Sequence, residues 1–177
     1  IVTYGENFGA GDCRVPIDGR SYGKTRQPVD LDLWPMAYEP EAPFFTTIGN
    51  YRQTGNDVVY GGEVYRWSKH YEWEKFLTLP RRTPQPFELA MFPNDLADRE
   101  KLQAHGWRLV PPFRMSLDSF GAYPAYFRSS RAEFTVAKDM NVRLRSGWFS
   151  DRDACYLASG KPVVAQDTGF GNILPTG

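Results

Sequence analysis

From residue 44 onward, short apolar runs alternate with segments of helical spacing. FFTTIGNY (Phe44–Tyr51) is aromatic and β-branched and meets Gly49, which reads as a strand followed by a turn. PFELAMF (Pro86–Phe92), WRLVP (Trp107–Pro111), AEFTVAK (Ala132–Lys138) and KPVVAQD (Lys161–Asp167) read as further strands. Between them the spacing predicts helices. SKHYEWEKFLTLP predicts a short one, capped by Ser68, marked by Tyr71, Phe76 and Leu77 and ending before Pro80. Asn94 or Asp95 caps DLADREKLQAHG, with Leu96, Leu102 and Ala104 inward and Gly106 as the stop. Tyr123–Ser129, after SLDSFGA, predicts a short helix near Pro124. Ser150 and Asp153 have capping-box spacing for a helix over DRDACYLAS that ends at Gly160. GNDVVYGGEVYRWS reads as an irregular loop or a hairpin about Gly61 and Gly62.

Strand and helix alternate with short connections, so the expected fold is α/β: a Rossmann-like three-layer domain with a mostly parallel sheet, over residues 44–177. Ligands in such sheets lie outside the carboxyl ends of the strands. The loops of interest therefore follow Ile48, Phe92, Pro111, Lys138 and Asp167. Residues 1–43 have a turn signal every few positions and read as a loop-rich connector or arm. Within it Glu6, Asn7, Arg26 and Gln27 suit structural loop bonding. The chain opens on Ile1 and stops on a Gly-rich turn, and the expectation is a piece truncated at its C-terminus. A truncated sheet leaves an open edge, so self-association is expected.

Charge changes the picture next. Basic and acidic side chains number 21 each, which argues against nucleic acid as the partner. Aromatic residues make up 15% of the chain; they read as core, or as a stacking surface for a flat or sugar-like ligand. Cys13, Cys155, His70 and His105 lack metal-ligand spacing, so no metal site is expected. No apolar run approaches the ~20 residues that span a bilayer. A reduced, cytoplasmic protein is the plain expectation. His70 and His105 suit packing and helix ends, and Cys155 has no partner base.

Three segments carry candidate chemistry. KDMNVRLRSGWFSDRD (Lys138–Asp153) follows a strand, leads into a helix and holds Lys138, Arg143, Arg145 and Arg152 among Ser146, Gly147 and Ser150. Guanidinium groups beside a helix N-terminus suit a diphosphate. The other reading is a basic loop salt-bridged to Asp139, Asp151 and Asp153. QDTGFGNILPTG offers Asp167, Thr168 and Gly169, the polar side chains for sugar hydroxyls and the glycines for close approach. It lacks the third glycine of the dinucleotide fingerprint, so a nicotinamide or flavin cofactor is disfavoured. FFTTIGNYRQTGND places Thr46, Thr47, Gly49, Asn50 and Arg52 where a first strand borders the crevice.

SGWFSDRDACYLASGKPVVAQDTGFGNILPTG, with EFTVAKDMNVRLRS and FFTTIGNY, resembles the C-terminal half of bacterial glycosyltransferase-like proteins of the two-domain GT-B fold. ASGKPVVAQDTG is similar to the helix-to-strand junction of their nucleotide-sugar-binding domain, and TYGEN and TRQPVDLDLWP to their connector. The resemblance implies sugar transfer from a nucleoside-diphosphate sugar to an unknown acceptor, without metal or other cofactor. It implies that Arg143 and Arg145 face the diphosphate, and that Ser146, Gly147 and Ser150 donate to it. Asp167, Thr168 and Gly169 would lie near the donor sugar or pyrophosphate, with Thr47 and Asn50 at the crevice. Where many retaining members carry a ribose-binding Glu, this chain has Cys155. The catalytic base is not among these residues in the resemblance, since that fold draws it largely from the other domain. The alternative is a Rossmann-like module that binds a nucleotide or glycan without turnover.

Overall fold

The computed structural model describes residues 1–91, 95–118 and 120–177, with Arg114 described only in its backbone. In the arm, β1 (Val2–Thr3) and β2 (Gly23–Lys24) form a short parallel ladder. β3 (Phe45–Ile48) leads to a hairpin of β4 (Val58–Tyr60) and β5 (Glu63–Tyr65), turned by Gly61 and Gly62, both at positive φ. α1 (His70–Trp73) continues into 3-10 turns at Glu74–Phe76 and Leu79–Arg81. Next come β6 (Phe87–Ala90), α2 (Leu96–Ala104), β7 (Arg108–Val110), α3 (Phe113–Leu117) and α4 (Ala122–Arg128). β8 (Ala132–Thr135), α5 (Asp139–Arg143), α6 (Asp151–Ala158), β9 (Val163–Ala165) and a 3-10 turn at Phe170–Asn172 complete the chain.

Five strands form one all-parallel sheet in the order β7-β6-β3-β8-β9. The fold is a Rossmann-like α/β domain, as the alternation predicts. One face is aromatic. Phe45, Phe87, Leu89, Phe134 and Val136 pack there with Trp73 of α1, Leu102 of α2 and Trp107. The other face carries Thr46, Glu88, Glu133 and Thr135, all buried. Phe127 of α4, Tyr156 of α6 and Trp34 of the arm cover it. Thr46 meets Ser130 and the Tyr156 hydroxyl at 2.6 Å each, so its polar atoms are satisfied without water.

The caps explain where the helices start. Asp95 caps α2 by accepting from Ala97 N–H, and Ser150 and Asp153 form the expected capping box on α6. Gly106 and Gly160 close their helices at positive φ. Lys161 then turns inward instead of out: its ammonium donates to the carbonyls of Arg128 and Ser130 just past α4.

Several expectations are corrected. Ser68 does not cap α1; its hydroxyl accepts from Gln53 N–H and meets His70 Nδ1, and Lys69 takes the cap position without a side-chain bond. Pro80 lies inside a 3-10 turn, because proline fits the first turn of a helix. Leu96 and Ala104 face solvent; in α2 only Leu102 and Asp98 are buried. The strands are shorter than the apolar runs. The Lys138–Asp153 segment contains α5, which its charge density disguised as loop. Asn94, and the loop start after Phe92, lie outside the described residues. Among the described residues no helix is long and apolar enough to cross a membrane.

Candidate functional site

From β3 the chain builds outward through β6 and β7, then crosses to β8 and β9 on the other side. The carboxyl ends of β3 and β8 therefore form the switch point where open parallel sheets hold ligands. The first turn of α6 stands over it. Arg152 reaches down from that turn and donates from Nη1 to the Ile48 carbonyl at 2.9 Å and from Nη2 to Thr135 Oγ1 at 2.7 Å. Its Nε donates to Glu133, which is fully buried and also accepts from Thr47 Oγ1 at 3.2 Å. Burial raises the Glu133 carboxyl to about 8, against the pull of Arg152. Glu133 Oε2 has no hydrogen-bond partner among the described residues.

Above this pair is a small pocket of about 10 Å³, lined by Lys69, Thr135, Trp148, Ser150, Arg152 and Gln166 among others. That is room for about one water. The Lys69 ammonium has no hydrogen-bond or carboxylate partner among the described residues. Burial, with the like charge of Arg152, lowers it to about 8. Lys138, at the end of β8, lies 2.8 Å from the centroid of the Trp67 ring and is lowered to about 8 by burial. One desolvated ammonium, Lys69, and the held guanidinium of Arg152 thus line the pocket together with Asp153, beside the positive end of a helix dipole, and Lys138 sits nearby on Trp67.

The residues singled out in the sequence fall into separate places. Arg145, Ser146, Gly147, Asp167, Thr168 and Gly169 converge, but on the arm. Arg145 bonds Asp12 at 2.6 Å and Asp167 at 2.9 Å, and these carboxylates raise its pKa. Asp12 also accepts from the amides of Asn7 and Asn172; with Arg145 they hold its carboxyl well below the usual range. Gly147 donates to the Thr168 carbonyl, and Thr168 Oγ1 donates to the Trp148 carbonyl at 2.6 Å. Glycine is required at this junction: a Cβ on Gly147 would lie 2.3 Å from Asn7 N, and one on Gly169 would lie 2.7 Å from Asn7 Nδ2. Both glycines have positive φ.

Arg143 sits apart, donating to the Val64 carbonyl and paired with Glu63 of the hairpin and with Asp139. Ser150 lines the pocket, although its hydroxyl is engaged in the capping box. Thr47 is buried on Glu133, and Asn50 is exposed just past β3. Arg52 pairs with Asp98. Glu6, Asn7, Arg26 and Gln27 make the expected loop bonds: Arg26 to Glu6, Gln27 to the Phe149 carbonyl, and Asn7 to Asp12 and to the Arg145 carbonyl. His105 meets the Lys101 carbonyl at the end of α2, and His70 packs on Tyr71. Sequence reasoning missed Lys69, hidden in a helical pattern, and Trp148. It grouped Arg152 with Arg143 and Arg145 as one basic segment, and the inward reach of Arg152 from the first turn of α6 to Glu133 had no local signal. No group of three or more His, Cys, Asp or Glu among the described residues could hold a metal ion.

No protein-family model matches the chain, and no curated protein or solved structure matches it.

Proposed function

We propose that this domain binds the donor of a glycosyltransferase that moves a sugar from a nucleoside-diphosphate sugar to an acceptor. The observation that carries the reading is Lys69, an ammonium without a hydrogen bond or salt bridge among the described residues, at the switch point beside Arg152 and the start of α6. The resemblance of the ASGKPVVAQDTG junction to GT-B donor domains supports it from the sequence side. The pocket is water-sized, so a diphosphate would lie across its mouth with Lys69 beneath it, and Lys138 would have to leave the Trp67 ring to join. Arg145 would join only by leaving Asp12 or Asp167, and Arg143 only by leaving Glu63 and Asp139.

Calorimetric titration with UDP, GDP, ADP and dTDP tests the reading. Binding of at least one, weakened tenfold or more by Lys69→Ala, is the expected result. No heat from any of them at millimolar ligand would sink it. The same titration with Arg143→Ala/Arg145→Ala decides whether those arginines exchange their carboxylates for phosphate. Binding without hydrolysis or transfer of a sugar in the presence of acceptors would favour a non-catalytic module. β7 and β9 are the sheet edges, and Val164 on β9 is half exposed. Self-association across β9 is the matching proposal, and a monomer mass in light scattering at high concentration would count against it.

A further inference from the structure

A second pocket lies on the other side of Trp148, between the arm and the loop after α5. It has a volume of about 440 Å³, and Val2, Thr3, Tyr4, Gly5, Phe8, Asn141, Ser146 and Trp148 line it. That volume and a lining of rings with a few polar groups are those of small-molecule sites. Trp148 lines both this pocket and the cationic one, so the two are neighbours with different chemistry.

The lining selects its ligand. It contains no Lys, Arg, Asp, Glu or His, so nothing in it compensates a phosphate, a carboxylate or an ammonium. The Tyr4 and Trp148 rings meet at 74° with centroids 6.4 Å apart. They form a corner. A flat base sandwiched between rings needs parallel planes, whereas a corner fits a puckered ring with an apolar face and a polar rim. The lining also supplies polar groups for such a rim. The Tyr4 hydroxyl, the Trp148 indole N–H and the Asn141 Nδ2 amide have no hydrogen-bond partner among the described residues, while Asn141 Oδ1 is held by Ser146 Oγ at 3.0 Å.

The walls are fixed in advance. Gly5 bridges Trp148 in an antiparallel pair, and Trp148 N–H and C=O are both bonded, to Ser146 Oγ and from Thr168 Oγ1. A Cβ at Gly5 would lie 2.4 Å from the Phe8 ring and 2.9 Å from the Ser146 carbonyl, so only glycine lets the arm approach this closely. A wall whose backbone is held in this way loses little entropy when a ligand stacks on it.

We propose that this pocket binds a neutral sugar residue, with one ring face against the Tyr4–Trp148 corner and its hydroxyls on Asn141, Tyr4 and the indole N–H. The proposal goes beyond the donor reading and stands whether or not the crevice takes a nucleotide. The test titrates the full chain with methyl glycosides of glucose, galactose, mannose and N-acetylglucosamine, read by tryptophan fluorescence and by ligand-observed saturation-transfer NMR. Saturable binding of at least one glycoside at millimolar concentration is expected. Tyr4→Ala should weaken it tenfold or more, and Tyr4→Phe a few-fold, with unchanged circular dichroism; Lys69→Ala should leave it unaltered. The proposal is overturned if no glycoside saturates, if Tyr4→Ala binds as the parent does, or if UDP displaces the glycoside and Tyr4→Ala loses UDP as well. Nucleotide binding without glycoside binding would therefore reject this site and leave the crevice reading in place.

Discussion

The two faces of the central sheet are built on opposite chemistry from the same strands. On one face Phe45, Phe87, Phe134 and Trp107 pack in edge-on and tilted pairs, with centroids 5.2 to 6.0 Å apart. On the other, Thr46, Glu88, Glu133 and Thr135 are buried and must be answered by Ser130, Arg108, Arg152 and Tyr156. Parallel strands covered on both faces usually read as continuous apolar runs. The alternation in PFELA and AEFTV departs from that rule, and the departure marks the face where α6 and its arginine sit. Apolar packing tolerates many arrangements of similar volume, whereas a buried carboxylate demands one cation at one place. The polar face therefore fixes the position of α6 over the switch point, and the aromatic face supplies the stability that permits it.

The comparison can be broken most strongly at its charged end. Arg152→Ala strips Glu133, Thr135 Oγ1 and the Ile48 carbonyl of their shared donor and should cost about 3–5 kcal/mol in urea unfolding, at about 1–3 for each acceptor left unsatisfied. The paired change Glu133→Leu/Arg152→Met should recover most of that loss. If the paired variant stays as weak as the single one, the two residues are not a unit. On the aromatic face, Trp107→Ala should cost about 3–5 kcal/mol through its cavity, and no compensating partner should exist. Its folded fraction should keep the nucleotide affinity of the parent, which a change at Arg152 should not.

Smaller effects sharpen the role of the arm. Gly147→Ala places a Cβ against the Asn7 backbone at a positive φ, and should cost roughly 1–3 kcal/mol. Protease cleavage within the first twelve residues should rise with it, because Asn7 and Asp12 lose their seat. Ser150→Ala removes the α6 cap and should cost about 1 kcal/mol in thermal unfolding.

The finest test is pH. Lys69 and Lys138 lose their protons near pH 8 in the folded chain, so nucleoside-diphosphate affinity should fall as pH rises through about 8. Stability should move the other way. The unfolded lysines keep their protons to about 10.5, so just above pH 8, before the raised Cys155 thiol and the buried tyrosines pull the other way, the unfolded state binds more protons and ΔG of unfolding rises with pH. Affinity and stability that both stay flat through about pH 8 would show that neither lysine is desolvated.

The fold was largely legible. Each strand of the central sheet had an apolar run, the hairpin had its two glycines, and α6 had both members of its capping box; the short arm ladder of β1 and β2 had no such signal. The site was legible only in part. Arg143 and Arg145 stand out in the sequence as a paired basic motif, yet each meets carboxylates from distant segments, Glu63 in one case and Asp12 in the other. Lys69 has no distinguishing neighbours in the sequence, yet it lines the pocket and makes no salt bridge among the described residues. The Gly-rich turn after β9 reads as a ligand loop by composition. In the structure, Asp167, Thr168 and Gly169 hold Arg145, Trp148 and Asn7, so the turn seats the arm.

Local chemistry by itself therefore determined the elements, their alternation and the parallel α/β class. Those depend on periodicity, caps and turn residues within a few positions of one another. The tertiary structure alone decided which cation is free, which is neutralised, and that the arm walls a pocket with Trp148. Those outcomes depend on distances between groups as far apart in the chain as Asp12 and Arg145. Coulombic pairing and ring contact act through space, and no local pattern records which distant partner the fold will bring within reach.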